Sequence, residues 1–325
     1  MSSRSQRSVL VTGGTFGLGY QCALAIACSC PTYRVIIASR ADNGAAETIN
    51  KLLNQSNVRF MKLDLSSLTN IRTFAEAWKK ANLPLLYSLV CNAALQFPGA
   101  AEYTEDGFEK TFGINHVGHA LLFSLLRPYL ADTARIVITG SGTHDPAQKS
   151  GMPDAFYTTA EEMAHPLPKY TQDNGRQHYT NTKLANVLFM FALHRRFTAI
   201  NEKAGKHWTV TTMDPGLMPG TGLAREASGF ERFLWHKILP RIFPLLRVLV
   251  SPNVHTTRES GGALARLAVG EDVEGVSGRY FEGRREIPSS KDSLDEAKQE
   301  DLWKWTIDAV AHDEEKAAFA LQDLL

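Results

Sequence analysis

Short apolar runs rich in β-branched residues recur along the first two thirds of the chain. Six of these runs predict strands, at residues 8–12, 34–39, 58–65, 86–92, 135–141 and 208–214. Because the runs are continuously apolar, both faces of each strand should be covered, as in a parallel sheet. Segments 21–28, 71–80 and 118–130 have the pattern and length of crossover helices. The pattern predicts an α/β fold with a doubly wound parallel sheet and helices on both faces.

Two stretches break this alternation. Residues 142–177 contain four prolines and little apolar periodicity, and residues 217–255 contain FLWHKILPRIFPLLRVLV, interrupted by Pro240 and Pro244. Both follow predicted strands at the carboxyl edge of the sheet, where ligands of such folds bind. We expect 142–177 to be an insertion that shapes the substrate mouth, and 217–255 to be a substrate lid.

The apolar stretch 230–250 leaves two other interpretations open. It could contact a membrane surface, with Trp235 and Phe243 as anchors, or form the surface of a homo-oligomer. Its charges and prolines argue against a segment that spans a bilayer. A lid over a small-molecule site is the preferred interpretation.

Composition narrows the class of protein. The 325 residues are 44% hydrophobic and 21% charged with no internal break, which predicts a single domain over 1–325. Thirty-five basic against 34 acidic residues provide no electrostatic basis for binding nucleic acid. The opening MSSRSQR lacks the apolar stretch of a secretory signal, so we expect a cytoplasmic enzyme.

The cysteines and histidines do not indicate a metal site. Cys22, Cys28, Cys30 and Cys91 lack the paired spacings of zinc ligands and are expected to be buried reduced thiols. The histidines at 144, 165 and 178 also lack metal-ligand spacing, which favours solvated or hydrogen-bonded side chains.

The glycine-rich segment TGGTFGLG follows the first predicted strand and opens a helix. Glycines 13, 17 and 19 allow a tight turn and a close approach of the backbone to a pyrophosphate. A glycine cluster alone is weak evidence. Its position between strand and helix predicts a Rossmann-type nucleotide site.

The end of the second strand bears on cofactor choice. Arg40 stands where an NAD-binding unit usually carries an acidic residue for the ribose 2′-hydroxyl. A charge-assisted hydrogen bond to a 2′-phosphate contributes about 1.5–3 kcal/mol, or roughly ten- to hundredfold in preference. Two observations argue against this contact: Asp42 lies two residues further on, and Arg40 could be a solvated cation in a loop. NADP(H) is favoured over NAD(H).

The next two strands contribute further candidate contacts. Asp64 and Leu65 close the third predicted strand, and Asn92, Ala93 and Ala94 close the fourth. A carboxylate at 64 could accept from the adenine amino group, although it could equally cap the following helix.

The segment HYTNTK places Tyr179 and Lys183 four residues apart on a predicted helix, so both project from one face. A neighbouring cation should favour the phenolate, and general acid–base catalysis then contributes about 10²–10⁴ in rate. The pair alone arises often by chance.

The ordered set of TGGTFGLG, DL, NAA, Asn115, Ser141, YTNTK and the Asp214-Pro215-Gly216 tripeptide closely resembles the short-chain dehydrogenase/reductase family over about residues 8–225. The resemblance implies that Ser141 hydrogen-bonds a substrate carbonyl and Tyr179 protonates it. Lys183 would also hold the nicotinamide ribose, and Asn115 would keep a helix open for a water-mediated proton relay. Ser141, Tyr179, Lys183 and Asn115 are therefore the predicted catalytic residues.

The predicted cofactor site follows from these motifs. It comprises Gly13, Thr15, Phe16, Gly17, Leu18, Gly19, Arg40, Asp64, Leu65, Asn92, Ala93, Tyr179, Lys183, Pro215, Gly216 and Met218.

Within the family, segments such as SLVCNAA and PGLMPGTGLARE resemble the branch of protochlorophyllide reductases and retinol-dehydrogenase-like enzymes, which implies a large apolar substrate. Leu217 stands where the protochlorophyllide enzymes carry a cysteine, which argues against a photochemical role. We expect NADP(H)-dependent carbonyl reduction or the reverse alcohol oxidation. Reduction of a conjugated C=C bond and a non-catalytic cofactor sensor are the alternatives.

Overall fold

The computed structural model describes residues 7–172, 175–219, 247 and 251–322. Within them the chain builds one eight-stranded sheet with the order β3-β2-β1-β4-β5-β6-β7-β8. The strands are β1 Arg7–Thr12, β2 Tyr33–Ser39, β3 Val58–Lys62, β4 Leu86–Cys91, β5 Leu130–Thr139, β6 His207–Asp214, β7 Arg279–Glu282 and β8 Arg285–Ile287. All neighbours pair in parallel except β7 and β8, which pair antiparallel.

All six predicted strands are present, but the third was predicted too long. Strand β3 ends at Lys62, so Asp64 and Leu65 follow the strand instead of closing it. The prediction also missed β7 and β8, which are only four and three residues long and mostly polar in sequence. Such short strands carry too little apolar pattern to be distinguished from a loop.

Helices fill the connections between strands. They are α1 Gly17–Ser29, α2 Ala45–Leu53, α3 Leu68–Lys80, α4 Lys110–Phe112, α5 Gly118–Leu126, α6 Ala160–Ala164, α7 Gly175–Ala204, α8 Thr257–Val269, α9 Glu296–Val310 and α10 Lys316–Phe319. A π-helical turn, Gly113–Val117, joins α4 to α5. The helix predicted at 118–130 ends early, because a 3₁₀ turn at Arg127–Tyr129 leads into β5.

The helices cover both faces of the sheet. On one face α1, α2 and α8 pack against alternate side chains of the central strands, including Val9, Val11 and Ile37. On the other face α3, α5, α7 and α9 cover the intervening side chains, such as Leu10 and Ile36. This arrangement confirms the predicted doubly wound fold and explains why the strands read as continuous apolar runs.

The insertion 142–177 is attached to the body of the protein through α6. The Tyr157 hydroxyl donates to Oδ2 of Asp301 at 2.7 Å, and the Ala160 N–H donates to the same atom at 2.9 Å. The predicted lid lies largely outside the described residues, as does the apolar stretch considered for membrane or oligomer contact. Among the described helices, none is long and apolar enough to cross a bilayer.

The expectation for the cysteines is only half right. Cys22 and Cys91 are buried, but Cys28 is exposed on the outer side of the last turn of α1, and Cys30, which follows that helix, is half-buried. All four are free thiols.

A buried histidine lies in the packing between the π-helical turn and α9. His116 hydrogen-bonds Oγ1 of Thr306 through Nε2 at 3.0 Å and stacks on Phe112. Burial lowers the pKa of His116 to about 3. The folded protein therefore holds this imidazole neutral at pH values where the unfolded chain binds a proton.

We predict that His116→Gln makes the protein less sensitive to acid. Unfolded histidine titrates near 6.5 and folded His116 near 3, so wild-type stability should fall as the pH drops below 6.5. By pH 5 this term amounts to about 2 kcal/mol. Urea unfolding at pH 7.5 and 5 should show that the variant loses about 2 kcal/mol less than wild type. Equal losses would contradict the buried neutral state of His116.

Candidate functional site

A cleft of about 2010 Å³ opens at the carboxyl edge of the sheet. Every residue of the predicted cofactor site lines this cleft, and so does Ser141. Asn115 does not, although its neighbour Ile114 does. The structure therefore brings together nearly all of the side chains that the sequence singled out.

The loop between β1 and α1 is shaped for close approach of a ligand. Gly17 has a φ of +57°, a conformation that residues with a Cβ rarely adopt. A Cβ on Gly19 would overlap the carbonyl oxygen of Gly13 and Nδ2 of Asn92. The first turn of α1 lines the cleft, holds no acidic residue and has no side-chain cap at Phe16, which favours an anion there.

Thr12 ties the ends of β1 and β4 together. Its hydroxyl oxygen accepts from the N–H groups of Asn92 at 2.9 Å and Ala93 at 3.0 Å. The Asn92 side chain returns a bond from Nδ2 to the Thr12 carbonyl at 2.8 Å. These bonds fix the backbone at the edge of the cleft where the cofactor was predicted to lie.

The structure separates the roles of Arg40 and Asp42. Asp42 accepts from the Ala46 N–H at 3.2 Å and so caps α2, and it does not line the cleft. Arg40 is exposed and lines the cleft, and within the described part of the chain its guanidinium has no ion-pair partner. A cation without a partner at this position is free to bind an anionic group.

Asp64 lines the cleft but does not cap a helix. One of its oxygens accepts from the N–H and the hydroxyl of Ser66 at 3.0 and 2.7 Å. Ser67, not Asp64, caps α3 by accepting from the Asn70 N–H. The second carboxylate oxygen of Asp64 remains available to the cleft.

Asn115 sits in the π-helical turn and holds the backbone of Leu95. Its Oδ1 accepts from the Leu95 N–H and its Nδ2 donates to the Leu95 carbonyl, both at 2.9 Å. The π-helical turn agrees with the expected interruption of a helix at Asn115.

The predicted catalytic side chains converge where β5 meets α7. Ser141 lies two residues after the end of β5 and caps a 3₁₀ turn, accepting from the Thr143 N–H at 3.3 Å. Lys183 donates from Nζ to the carbonyl of Thr139 at 3.0 Å, and its Nζ lies 5.4 Å from the centroid of the Tyr179 ring. Phenol, ammonium and serine hydroxyl thus border one corner of the cleft.

The electrostatics of this corner correct one expectation. Burial raises the pKa of Tyr179, and the negative charge of Asp214 raises it further, while a hydrogen bond from Ser141 opposes the shift. Burial also lowers the pKa of Lys183 to about 8. The predicted stabilisation of the phenolate is therefore wrong for this state, because burial and the charge of Asp214 together raise the pKa of Tyr179.

Asp214 is a buried charge to which the sequence motif assigned no role. Its two oxygens accept from the Gly216 N–H at 2.9 Å and from Nδ2 of Asn253 at 2.7 Å. Burial raises the pKa of Asp214, while these donors oppose the shift. Its position at the end of β6, directly before Pro-Gly, was the sequence signal that could have identified it as part of the site.

His144 is a second contributor that the sequence did not single out for the site. It is fully buried, donates from Nδ1 to the Ser141 carbonyl at 2.8 Å and accepts from the Ser290 N–H at 3.1 Å. His178 is also buried and bonds the Tyr170 carbonyl, while His165 is exposed and pairs with Glu161. All three histidines are hydrogen-bonded. The sequence predicted either solvated or hydrogen-bonded side chains at these positions.

The two ends of the predicted lid meet beside the cleft. The Leu217 N–H donates to the Asn253 carbonyl at 2.8 Å, and the His255 N–H donates to the Leu217 carbonyl at 3.0 Å. Leu217, Met218 and Asn253 all line the cleft. Most of the predicted lid between these ends lies outside the described residues.

Comparisons with known proteins agree with this architecture. A family model described as short chain dehydrogenase matches residues 7–160, and one described as AcuH dehydrogenase domain matches 226–319. Human polyprenol dehydrogenase is 30% identical over 309 residues, covering 92% of this chain and 84% of that protein. Chloroplastic protochlorophyllide reductase of Daucus carota is 33% identical over 307 residues, covering 89% and 73%.

A solved structure shares the fold at lower identity. The 3-oxoacyl-[acyl-carrier protein] reductase of Brucella melitensis superposes with a TM-score of 0.62 at 19% identity, covering 87% of this chain and 97% of that one. Fold and cleft together define a doubly wound α/β protein with a glycine-rich loop at the carboxyl edge of its sheet. The chain belongs to the short-chain dehydrogenase/reductase family of oxidoreductases, as its motifs predicted.

We predict opposite effects of alanine at two helical glycines. Gly19→Ala should destabilise the protein, because the new Cβ would overlap backbone atoms of the nucleotide loop. Gly262→Ala, in α8, is the matched control. It places its Cβ in open space and should stabilise by up to about 1 kcal/mol through helix propensity. Thermal unfolding compares the two, and a stabilised Gly19→Ala would show that the loop relaxes.

Proposed function

We propose that the protein is an NADP(H)-dependent oxidoreductase that reduces a carbonyl group on a bulky, largely apolar molecule, or oxidises the corresponding alcohol. The observation that carries the proposal is the meeting of Ser141, Tyr179 and Lys183 at one corner of a cleft. The glycine-rich loop borders the same cleft. This arrangement would place a proton donor beside a bound nucleotide.

The cleft suits a dinucleotide. The open space beside Gly17 and the uncapped first turn of α1 would take a pyrophosphate, and Asp64 could accept from the adenine. Arg40 would bind a 2′-phosphate, and Lys183 would hold the nicotinamide ribose. Solved structures of similar fold are titled as complexes with NAD, NADP and NADPH, so the choice of NADP(H) depends on Arg40.

The protein side chains supply the proton chemistry. The bound nicotinamide would supply or accept the hydride. Ser141 would donate a hydrogen bond to the substrate oxygen, and Tyr179 would transfer its phenolic proton to that oxygen. Lys183, whose pKa of about 8 keeps it mostly protonated at neutral pH, would return a proton toward the phenolate. Asn115, in the π-helical turn, would organise the path to solvent.

The size and lining of the cleft support a bulky apolar substrate. Its volume, about twice the upper end of the usual 300–1,000 Å³ range for small-molecule sites, would hold a dinucleotide with a substrate beside it. Apolar side chains border it beyond the catalytic corner, among them Leu95, Met152, Leu217 and Ile287. Two relatives are named for polyprenol and protochlorophyllide. We infer a polyketide-, retinoid- or steroid-like compound.

Reduction of a conjugated C=C bond is a second candidate, favoured by the 33% identity to a protochlorophyllide reductase. Leu217 lines the cleft at the position where the resemblance places a cysteine in that enzyme. Analysis of the reduced product distinguishes an alcohol from a saturated ketone.

We predict that NADPH binds more tightly than NADH and that Arg40→Asp reverses the order. The substitution removes a charge-assisted hydrogen bond worth about 1.5–3 kcal/mol and adds repulsion toward a 2′-phosphate. Affinities for both cofactors can be measured by fluorescence titration. Arg59→Asp, on the exposed side of β3 and away from the cleft, controls for the change in net charge. An unchanged ratio in Arg40→Asp would refute the assignment.

We predict that Tyr179→Phe abolishes turnover while leaving NADPH affinity nearly intact. The ring keeps its packing, whereas a proton donor worth about 10²–10⁴ in rate is lost. NADPH oxidation should be followed with a panel of polycyclic and long-chain ketones, and Tyr103→Phe, at an exposed position outside the cleft, is the matched control.

Lys183→Ala should reduce both NADPH affinity and turnover.

Turnover of Tyr179→Phe within about tenfold of wild type would contradict the role of Tyr179 as the proton donor, since its expected contribution is at least about a hundredfold. NADPH binding without turnover of any substrate by wild type would favour a cofactor sensor.

A further inference from the structure

His119 connects two parts of the site and has no role in the proposed chemistry. It is 7% exposed and lies on α5, one turn after Asn115. Its Nδ1 is 3.2 Å from the Asn115 carbonyl oxygen, and its Nε2 is 2.9 Å from Oγ1 of Thr12. One imidazole therefore spans the gap between the π-helical turn and the end of β1.

The partners of His119 determine where its proton lies. A carbonyl oxygen can only accept, so Nδ1 carries the hydrogen and donates to Asn115. Burial and the nearby charge of Lys183 lower the pKa of His119 to about 4, so the ring is neutral and Nε2 is an acceptor. The Thr12 oxygen already accepts from Asn92 and Ala93. Its one hydrogen has two acceptors within reach, Nε2 of His119 at 2.9 Å and the Val90 carbonyl at 3.2 Å, and the shorter distance favours donation to Nε2.

Each arm of His119 reaches a different wall of the cleft. Through Thr12 it orients the backbone of Asn92 and Ala93, which line the cofactor side. Through the Asn115 carbonyl it fixes the π-helical turn, whose Asn115 side chain holds Leu95 by two hydrogen bonds. Leu95 and Ile114 line the cleft on that side.

We propose that His119 is a positioning residue that braces these two walls against each other, so that its Nε2 arm supports nucleotide binding and its Nδ1 arm supports turnover. The turnover arm rests on the proposed function. The affinity arm requires only that the cleft binds NADPH.

Two amide variants separate the arms, because each keeps one of the two polar positions of the imidazole. His119→Asn places an amide nitrogen near Nδ1 and can still donate to Asn115. His119→Gln places an amide near Nε2 and can still accept from Thr12. His119→Phe keeps the ring and removes both hydrogen bonds. Thermal unfolding of all three shows whether the fold persists.

We expect a crossed pattern. His119→Phe should weaken NADPH binding and lower kcat, each by about three- to tenfold, the range for one neutral hydrogen bond. His119→Gln should restore affinity but not kcat, and His119→Asn should restore kcat but not affinity. Thr12→Val should lower affinity at least as much as His119→Asn, because it also removes the acceptor for the Asn92 and Ala93 N–H groups. NADPH titration and steady-state kinetics with a ketone substrate provide the two readouts.

A purely structural role predicts a different result. Affinity and kcat would then fall together in all variants, in step with the melting temperature, and this outcome would overturn the proposal. Wild-type affinity in His119→Phe would overturn it as well. Wild-type protein that binds NADPH but reduces no carbonyl would reject the proposed function instead, and the comparison of His119→Phe with His119→Gln would still decide the affinity arm.

Discussion

The reversal of strand order at β1 is the constraint on which the site depends. The chain moves outward from β1 to β2 and β3, then returns through α3 to place β4 on the other side of β1. The connection after β1 consequently leads to helices on one face, and the connection after β4 leads to helices on the other. The two loops diverge and leave a crevice between them. Every predicted cofactor contact lies along this crevice.

Divergent loops expose backbone groups that a buried sheet would otherwise pair, and the site is built from the side chains that satisfy them. Thr12 takes up the N–H groups of Asn92 and Ala93, and Asn115 takes up both backbone groups of Leu95. An unmade bond at a buried backbone group costs about 1–3 kcal/mol, so these polar residues stabilise the fold while they shape the cleft. Stability and site geometry are therefore not separable here.

The sequence predicted what depends on local pattern. Continuous apolar runs predicted six strands, and the order strand, glycines, helix predicted the glycine-rich loop. Both predictions succeeded because each signal is contained in a short stretch of sequence. It missed β7 and β8, and it missed the links of His119 to Thr12 and of His144 to Ser290, which join residues 107 and 146 positions apart. It also predicted a favoured phenolate at Tyr179, whereas burial raises the pKa of that phenol. The burial of a side chain cannot be inferred from a Tyr-Lys spacing.

Burial and the charge of Asp214 both act on the ionisation of Tyr179. A phenol whose pKa is raised stays protonated at neutral pH, which suits a proton donor in reduction, whereas oxidation needs the phenolate first. The Asp214 carboxylate acts on both members of the pair: it raises the pKa of Tyr179, and it also raises that of Lys183 against the larger effect of burial. One buried charge thus opposes ionisation of the phenol and helps the lysine remain cationic. In the proposed reduction, a substrate oxygen that gains negative charge as hydride arrives would meet two donors and a cation.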